Sequence, residues 1–97
     1  MAKLYVSRRA DQDVRAIWRY IADRNLVAAN DIVERIDRTF RILADFPVIG
    51  TPRDDLRPGL RMLVEGNYLL LYEYDEDRDE VELIAVIDGR RDLRDAL

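Results

Sequence analysis

The side chains able to do chemistry are few. The sequence holds no histidine and no cysteine, so Ser-His-Asp triads, Cys-His nucleophiles, imidazole acid/base work and zinc sites are all excluded. Only carboxylates, Lys, Tyr, Ser, Thr and Arg remain. Asp75, Asp77 and Asp79 have the alternate spacing of a calcium loop, but Glu80 stands where such a loop needs glycine, and Val86 where it needs glutamate. Their flanks read as strands, so the run reads as a solvated turn. No metal or cofactor is expected.

The arginines form two groups. Arg53, Arg57 and Arg61 surround a loop punctuated by Gly50, Pro52, Pro58 and Gly59, while Arg90, Arg91 and Arg94 crowd the C-terminus. Asp54, Asp55, Asp92 and Asp95 are interleaved with them, so mutual neutralisation at the surface is one reading. The functional reading is a target-binding surface made by Arg57, Arg61, Arg90 and Arg91, and it requires the two groups to meet at one edge of a small sheet. With 16 Lys and Arg against 20 Asp and Glu, the net charge is -4. That balance opposes a surface for DNA or RNA, so no direct sequence-specific nucleic-acid binding is expected.

The elements that must hold these residues follow from periodicity. Asn67 to Tyr74 and Val81 to Ile87 are two apolar runs separated by six charged residues, and they read as a central hairpin covered on both faces. In the second run Val81, Leu83, Ala85 and Ile87 oppose Ile84 and Val86. Lys3 to Val6 reads as a strand ended by Ser7, an N-cap for a helix from Arg8 to about Arg24. That helix carries Ala10, Val14, Ile17, Trp18 and Ile21 on one face, with Asn25 in its C-terminal turn. A second helix, from about Ala28 to Asp45, repeats the stripe with Ala29, Ile32, Val33, Ile36, Phe40 and Leu43. Trp18 reads as core, Tyr20 as a border residue, and Ile42 as an apolar side chain off the stripe. Phe46-Pro47 ends the second helix. Leu60 to Val64 resumes a strand that turns through Glu65, Gly66 and Asn67. The ten residues after Ile87 read as a surface tail with a weak helical turn. The order is β-α-α-β-β-β in one domain of 97 residues. The fold class is α+β, a helical hairpin on a small, mainly antiparallel four-stranded sheet. The apolar runs are too short to span a membrane, no signal peptide opens the chain, and the cytoplasm is the expected location.

Taken together, several pieces carry a resemblance: Ser7, Ile17-Trp18-Arg19-Tyr20-Ile21-Ala22, Asn25, Ala28-Ala29, Leu43, Phe46-Pro47 with Gly50, and Pro52-Arg53. Leu56-Arg57-Pro58-Gly59-Leu60-Arg61, Asn67-Tyr68 with Tyr72, and Gly89-Arg90-Arg91-Asp92 complete it. In this order and spacing the chain resembles the ParE branch of the ParE/RelE superfamily of bacterial type II toxin-antitoxin systems. The resemblance implies a toxin neutralised by a ParD-like antitoxin in a hetero-oligomeric complex, with DNA gyrase as the target and no enzymatic activity. The alternatives are a RelE-like ribosome-dependent mRNA endoribonuclease, or a decayed toxin kept as an antitoxin-binding module. RelE-like nucleases carry a basic residue directly after the tyrosine that opens the central strand, lysines on the preceding strand and a C-terminal tyrosine. Here Leu69 follows Tyr68, Leu60 to Val64 offers only Arg61, and no tyrosine lies beyond Tyr74. Asp88 stands where ParE-like toxins commonly have His.

Because the central strands read as apolar on both sides and a helical hairpin covers one, the other needs a cover. The antitoxin is the expected source, through Tyr20, Ile42, Tyr68, Leu70 and Tyr72, over an interface on the order of 2,000 Å².

Overall fold

The computed structural model describes residues 1–97. Strand β1 spans Lys3–Val6, and helices α1 and α2 span Arg8–Ala22 and Leu26–Ile42. Both helices start on a side-chain cap. Ser7 Oγ accepts from the Ala10 N–H and Asn25 Oδ1 from the Ala28 N–H, each at 3.0 Å. Asn25 serves both helices: its N–H donates to Ile21 O at 2.8 Å in the C-terminal turn of α1, and its extended backbone and side-chain acceptor make it the N-cap of α2. The chain then forms β2 (Thr51–Pro52), β3 (Leu60–Glu65), β4 (Tyr68–Asp75), β5 (Glu80–Asp88) and the short helix α3 (Leu93–Ala96).

The sheet has five strands in the order β1-β5-β4-β3-β2, with β1 parallel to β5 and every other pair antiparallel. The expectation of four strands missed β2. Two residues, one a proline without an N–H, carry no strand signal until β3 pairs with them. The acidic run between β4 and β5 forms a turn in which Asp75 Oδ1 accepts from the N–H groups of Asp77 and Arg78. Its carboxylate is thereby spent on its own backbone.

A register shift falls between Leu71 and Tyr72, which oppose Ala85 and Leu83, so that Ile84 is the extra residue of a β-bulge. The bulge reverses the phase of β5. Val81, Leu83 and Val86 pack with Leu70, Tyr72, Ile36, Phe40 and Leu43 under the helices. Ala85 and Ile87 turn to the opposite face with Leu60 and Leu71. The uninterrupted alternation expected for Val81 to Ile87 is thus broken.

The opposite face is closed by the chain itself. Leu56 from the Pro/Gly loop and Leu93 and Ala96 from α3 pack onto Leu60, Leu71, Ala85 and Ile87. The tail is therefore a core element, in place of the surface segment expected, because its two apolar side chains fall one turn-spacing apart on α3 and meet a patch of matching size. Arg9 Nη2 also donates to Ala96 O at 2.6 Å.

β1 ends four residues into its pairing with β5, and α1 takes over the exposed edge. The Ser7 N–H donates to Leu83 O, Ser7 Oγ donates to Ile84 O, and Asp13 Oδ2 accepts from the Val86 N–H. Two side chains of the helical segment thus satisfy backbone groups that a strand would otherwise meet.

Candidate functional site

Three surfaces of this fold have the exposure and side-chain content to contact a partner. The first is a groove between α1 and α2 that opens onto β1. Its lower part, about 200 Å³, is lined by Val6, Val14, Val33, Ile36, Phe40 and Leu83, with Asp11 and Asp37 at the rim. Its upper part, about 370 Å³, shares Val14 and Val33 and adds Trp18 between Arg15 and Arg19. Trp18 is half-buried in the wall, and its Nε1 donates to Asn30 Oδ1 at 2.9 Å. It is neither core, as its place in the stripe suggested, nor free. The groove runs down to the outer edge of β1. Lys3 and Ser7 donate their N–H groups toward the β5 side, so by strand alternation Leu4 and Val6 turn their backbone groups outward, where no strand lies. At the far edge Pro52 blunts β2.

The second surface lies where α1, the β3–β4 turn and the end of β5 converge. Tyr20 is 63% exposed, and the Arg24 guanidinium lies 4.5 Å from its ring centroid. Arg90 clasps Asp88 through Nε and Nη2, at 3.0 and 2.6 Å. Those side-chain bonds, with the Arg90 N–H, hold the Asp88 carboxyl down at about 2. Burial raises the pKa of Tyr68, and the Asp88 charge adds to the effect, while Arg90 acts in the opposite sense. Tyr20, Tyr68 and Arg90 are thus brought together. Gly66, with φ near 59°, makes the turn beside them.

The third is an open acidic hollow of about 770 Å³ on the face opposite the helices, lined by Glu73, Asp75, Glu80 and Glu82 with Tyr5 and Tyr74. Tyr5 and Tyr74 donate to Glu80 and Asp79. This concentration of carboxylates repels a phosphate backbone.

The arginines expected to converge do not. Arg61 is opposite Tyr72 and Asp88 is opposite Tyr68, so the two groups are separated along β4 by about 13 Å at the rise of a strand. Arg57 is paired with Glu73. Arg61 Nη1 donates to the carbonyls of Val48 and Gly50, at 3.1 and 2.9 Å, and so holds the loop together. Arg91 alone of the four is exposed and makes no ion pair or hydrogen bond through its side chain. The tail does return to the Pro/Gly loop, but through Arg94. The pKa of Asp55 is lowered chiefly by its bond to Arg53, and the field of Arg94 adds to this.

Of the residues expected to meet an antitoxin, Leu70 and Tyr72 are fully buried and present no surface to one. Alternation separates the two faces of β4 without saying which one the helices cover, and Leu70 and Tyr72 lie on the covered one. The Tyr72 hydroxyl accepts the Gly50 N–H at 2.9 Å. Ile42 is 46% exposed, but it lies roughly 140 to 200° around α2 from Val33, Asp37 and Phe40, and so outside the groove. Sequence reasoning named none of Val6, Val14 or Val33 as surface residues. The available signal was the width of the two apolar stripes, which exceeds what one sheet face can bury.

The sequence comparisons converge on one family. The family model described as the ParE toxin of the type II toxin-antitoxin system parDE matches residues 4–93. Toxin ParE3 of Caulobacter vibrioides is 31% identical over 94 residues, with 96% of this chain and 92% of that protein covered. Toxin ParE1 of the same organism is 31% identical over 83 residues, covering 84% and 83%. Among solved structures, a chain of the chromosomal ParDE system from P. aeruginosa superposes with a TM-score of 0.78 at 20% identity, covering 91% of this chain and 96% of that one. A chain of the RelBE2 toxin-antitoxin complex from Mycobacterium tuberculosis gives a TM-score of 0.59 at 22% identity, covering 90% and 96%. At these identities the structural matches speak to the fold, which is the same α+β arrangement. With the family model spanning nearly all of the sequence and two curated toxins related along it, the chain belongs to the ParE toxin family of type II toxin-antitoxin systems.

Proposed function

We propose that this protein is the toxin of a ParD/ParE-like pair, that a ParD-like antitoxin neutralises it by occupying the groove between α1 and α2 and the free edge of β1, and that it arrests growth by binding DNA gyrase in the cytoplasm without chemistry of its own. The observation that carries the antitoxin site is the continuity of an apolar groove with an unpaired strand edge. A partner segment that is part helix and part extended can bury apolar side chains along Trp18, Val14, Val33 and Phe40, then pair with Leu4 and Val6. Tyr20 and Tyr68, expected from the sequence to meet the antitoxin, border the opposite side of α1 from the groove, and we assign them instead, with Arg90 and Arg91, to the surface for the target. Family membership supports the gyrase assignment.

A non-catalytic role is supported by how the ionisable groups are spent. Metal-free phosphodiester cleavage needs a positioned base, an acid and a cationic clamp. Here Arg57 is tied to Glu73, Arg61 to two carbonyls and Arg90 to Asp88. Induction in cells followed by parallel assays of supercoiling, trapped gyrase–DNA cleavage complexes and messenger integrity tests the target. Gyrase complexes with intact messenger are expected, and messenger cut at defined codons would overturn the assignment. Val33→Asp should release the antitoxin while leaving the toxin folded. If antitoxin affinity is unchanged, the groove is not the site.

A further inference from the structure

Along α2 two arginines are paired within the helix, Arg35 with Asp31 on the side away from the groove at 2.9 Å and Arg41 with the rim residue Asp37 at 2.8 Å. Glu34, Arg38 and Asp45 are exposed and in no ion pair, and by helical spacing Arg38 and Asp45 are the two nearest Ile42. They flank Ile42 at helical spacings of four and three residues. The tightened last turn, where the Asp45 N–H donates to Ile42 O at 3.1 Å, places Asp45 directly above Ile42. The surface beside them is apolar. Phe46, Val48 and Ile49 are 58%, 54% and 57% exposed. It is also rigid, since Arg61 grips the Val48 and Gly50 carbonyls and Tyr72 receives the Gly50 N–H. A loop backbone already held in the free protein loses little freedom on docking.

We propose that this shelf is where two copies of the chain meet, packed antiparallel about a two-fold axis at Ile42, with Arg38 of each copy opposite Asp45 of the other. The order cation, apolar, anion along one line is complementary to itself only when reversed, as an isologous contact requires. Pro52 on the adjoining edge of β2 disfavours strand pairing there, so the contact is made by side chains. The exposed apolar area of the shelf is on the order of 400 Å², about half of what each partner gives to a standard interface, so the dimer is a weak one. Because Ile42 faces away from the groove, the dimer leaves that groove open.

Sedimentation equilibrium of the purified chain, from about 1 µM to about 500 µM, tests this. The mass is expected to rise from monomer to dimer across that range. Arg38→Asp and Asp45→Arg should each weaken association about tenfold or more, and the double variant should recover it, because the reversed pair is again complementary. Phe46→Ser should weaken it without rescue, with circular dichroism confirming that each variant is folded. A monomer at every concentration, a dimer unmoved by the single reversals, or a double variant as weak as the singles would each overturn the proposal.

Discussion

The two faces of the sheet are buried by different means. On one, Leu70, Tyr72, Val81, Leu83 and Val86 lie beneath two long helices whose stripes supply Ile36, Phe40 and Leu43. On the other, Leu60, Leu71, Ala85 and Ile87 are sealed by Leu56, Leu93 and Ala96, which come from a loop and a four-residue helix. The first cover is cooperative with the sheet, because α1 also completes the edge of β5. The second is local and added last in the chain, and beyond it the same face becomes the acidic hollow. Burial of a face therefore says little about how strongly it is held.

The largest effects should come from the helical side. Phe40→Ala or Ile36→Ala should cost roughly 2 to 5 kcal/mol in denaturant unfolding, from lost burial plus the cavity left behind. A loss below about 1 kcal/mol would mean the helices are as loosely attached as the tail. Truncation after Asp92, which removes α3, should cost less, about 1 to 3 kcal/mol, and should increase binding of a hydrophobic dye as Leu60, Leu71 and Ile87 become exposed. A truncated chain that fails to fold would erase the distinction between the two covers.

Gly50→Ala tests a third junction. A Cβ there would lie 2.6 Å from the Tyr72 ring and hydroxyl and 3.0 Å from Met62 O, so about 1 to 3 kcal/mol should be lost through overpacking. Arg57→Ala and Arg91→Ala should stay within about 0.5 kcal/mol of the parent, as exposed positions do. Smallest of all is the effect of pH on the end of β5. The folded-state pKa of Asp88 is depressed, so the stability from its Arg90 contact is present above the ordinary carboxylate range and is lost as pH falls toward about 2. An NMR titration should place the Asp88 midpoint near that value, and Arg90→Ala should return it toward the ordinary range.

Much of this fold was legible because its signals are periodic. Ala29, Ile36, Phe40 and Leu43 announce a helix face, and the turn at Asp75 to Glu80 separates two apolar runs. What was not legible is aperiodic. The bulge at Ile84 inserts one residue with no composition of its own, yet it decides that Ala85 and Ile87 leave the helical side. The tail's contribution rests on Leu93 and Ala96 alone, too few to distinguish from a surface turn. Leu70 and Tyr72 were misplaced because β4 is apolar on both faces, so alternation could not say which face was outermost. Arg57 and Arg61 share a sequence neighbourhood with a plausible site, but their partners, Glu73 and the Val48 and Gly50 carbonyls, are fixed only by strand pairing and loop closure.

The takeover of the β5 edge by Ser7 and Asp13 acts as a ruler for whatever binds beside it. The free edge of β1 is only Lys3–Val6, about 13 Å at strand rise, and beyond Val6 the path is occupied by the first turn of α1. An added strand must stop there and climb over the helix. An interacting peptide is thereby forced to change from extended to another conformation within a few residues, and the position of that change in its own sequence is dictated by where this chain places a serine.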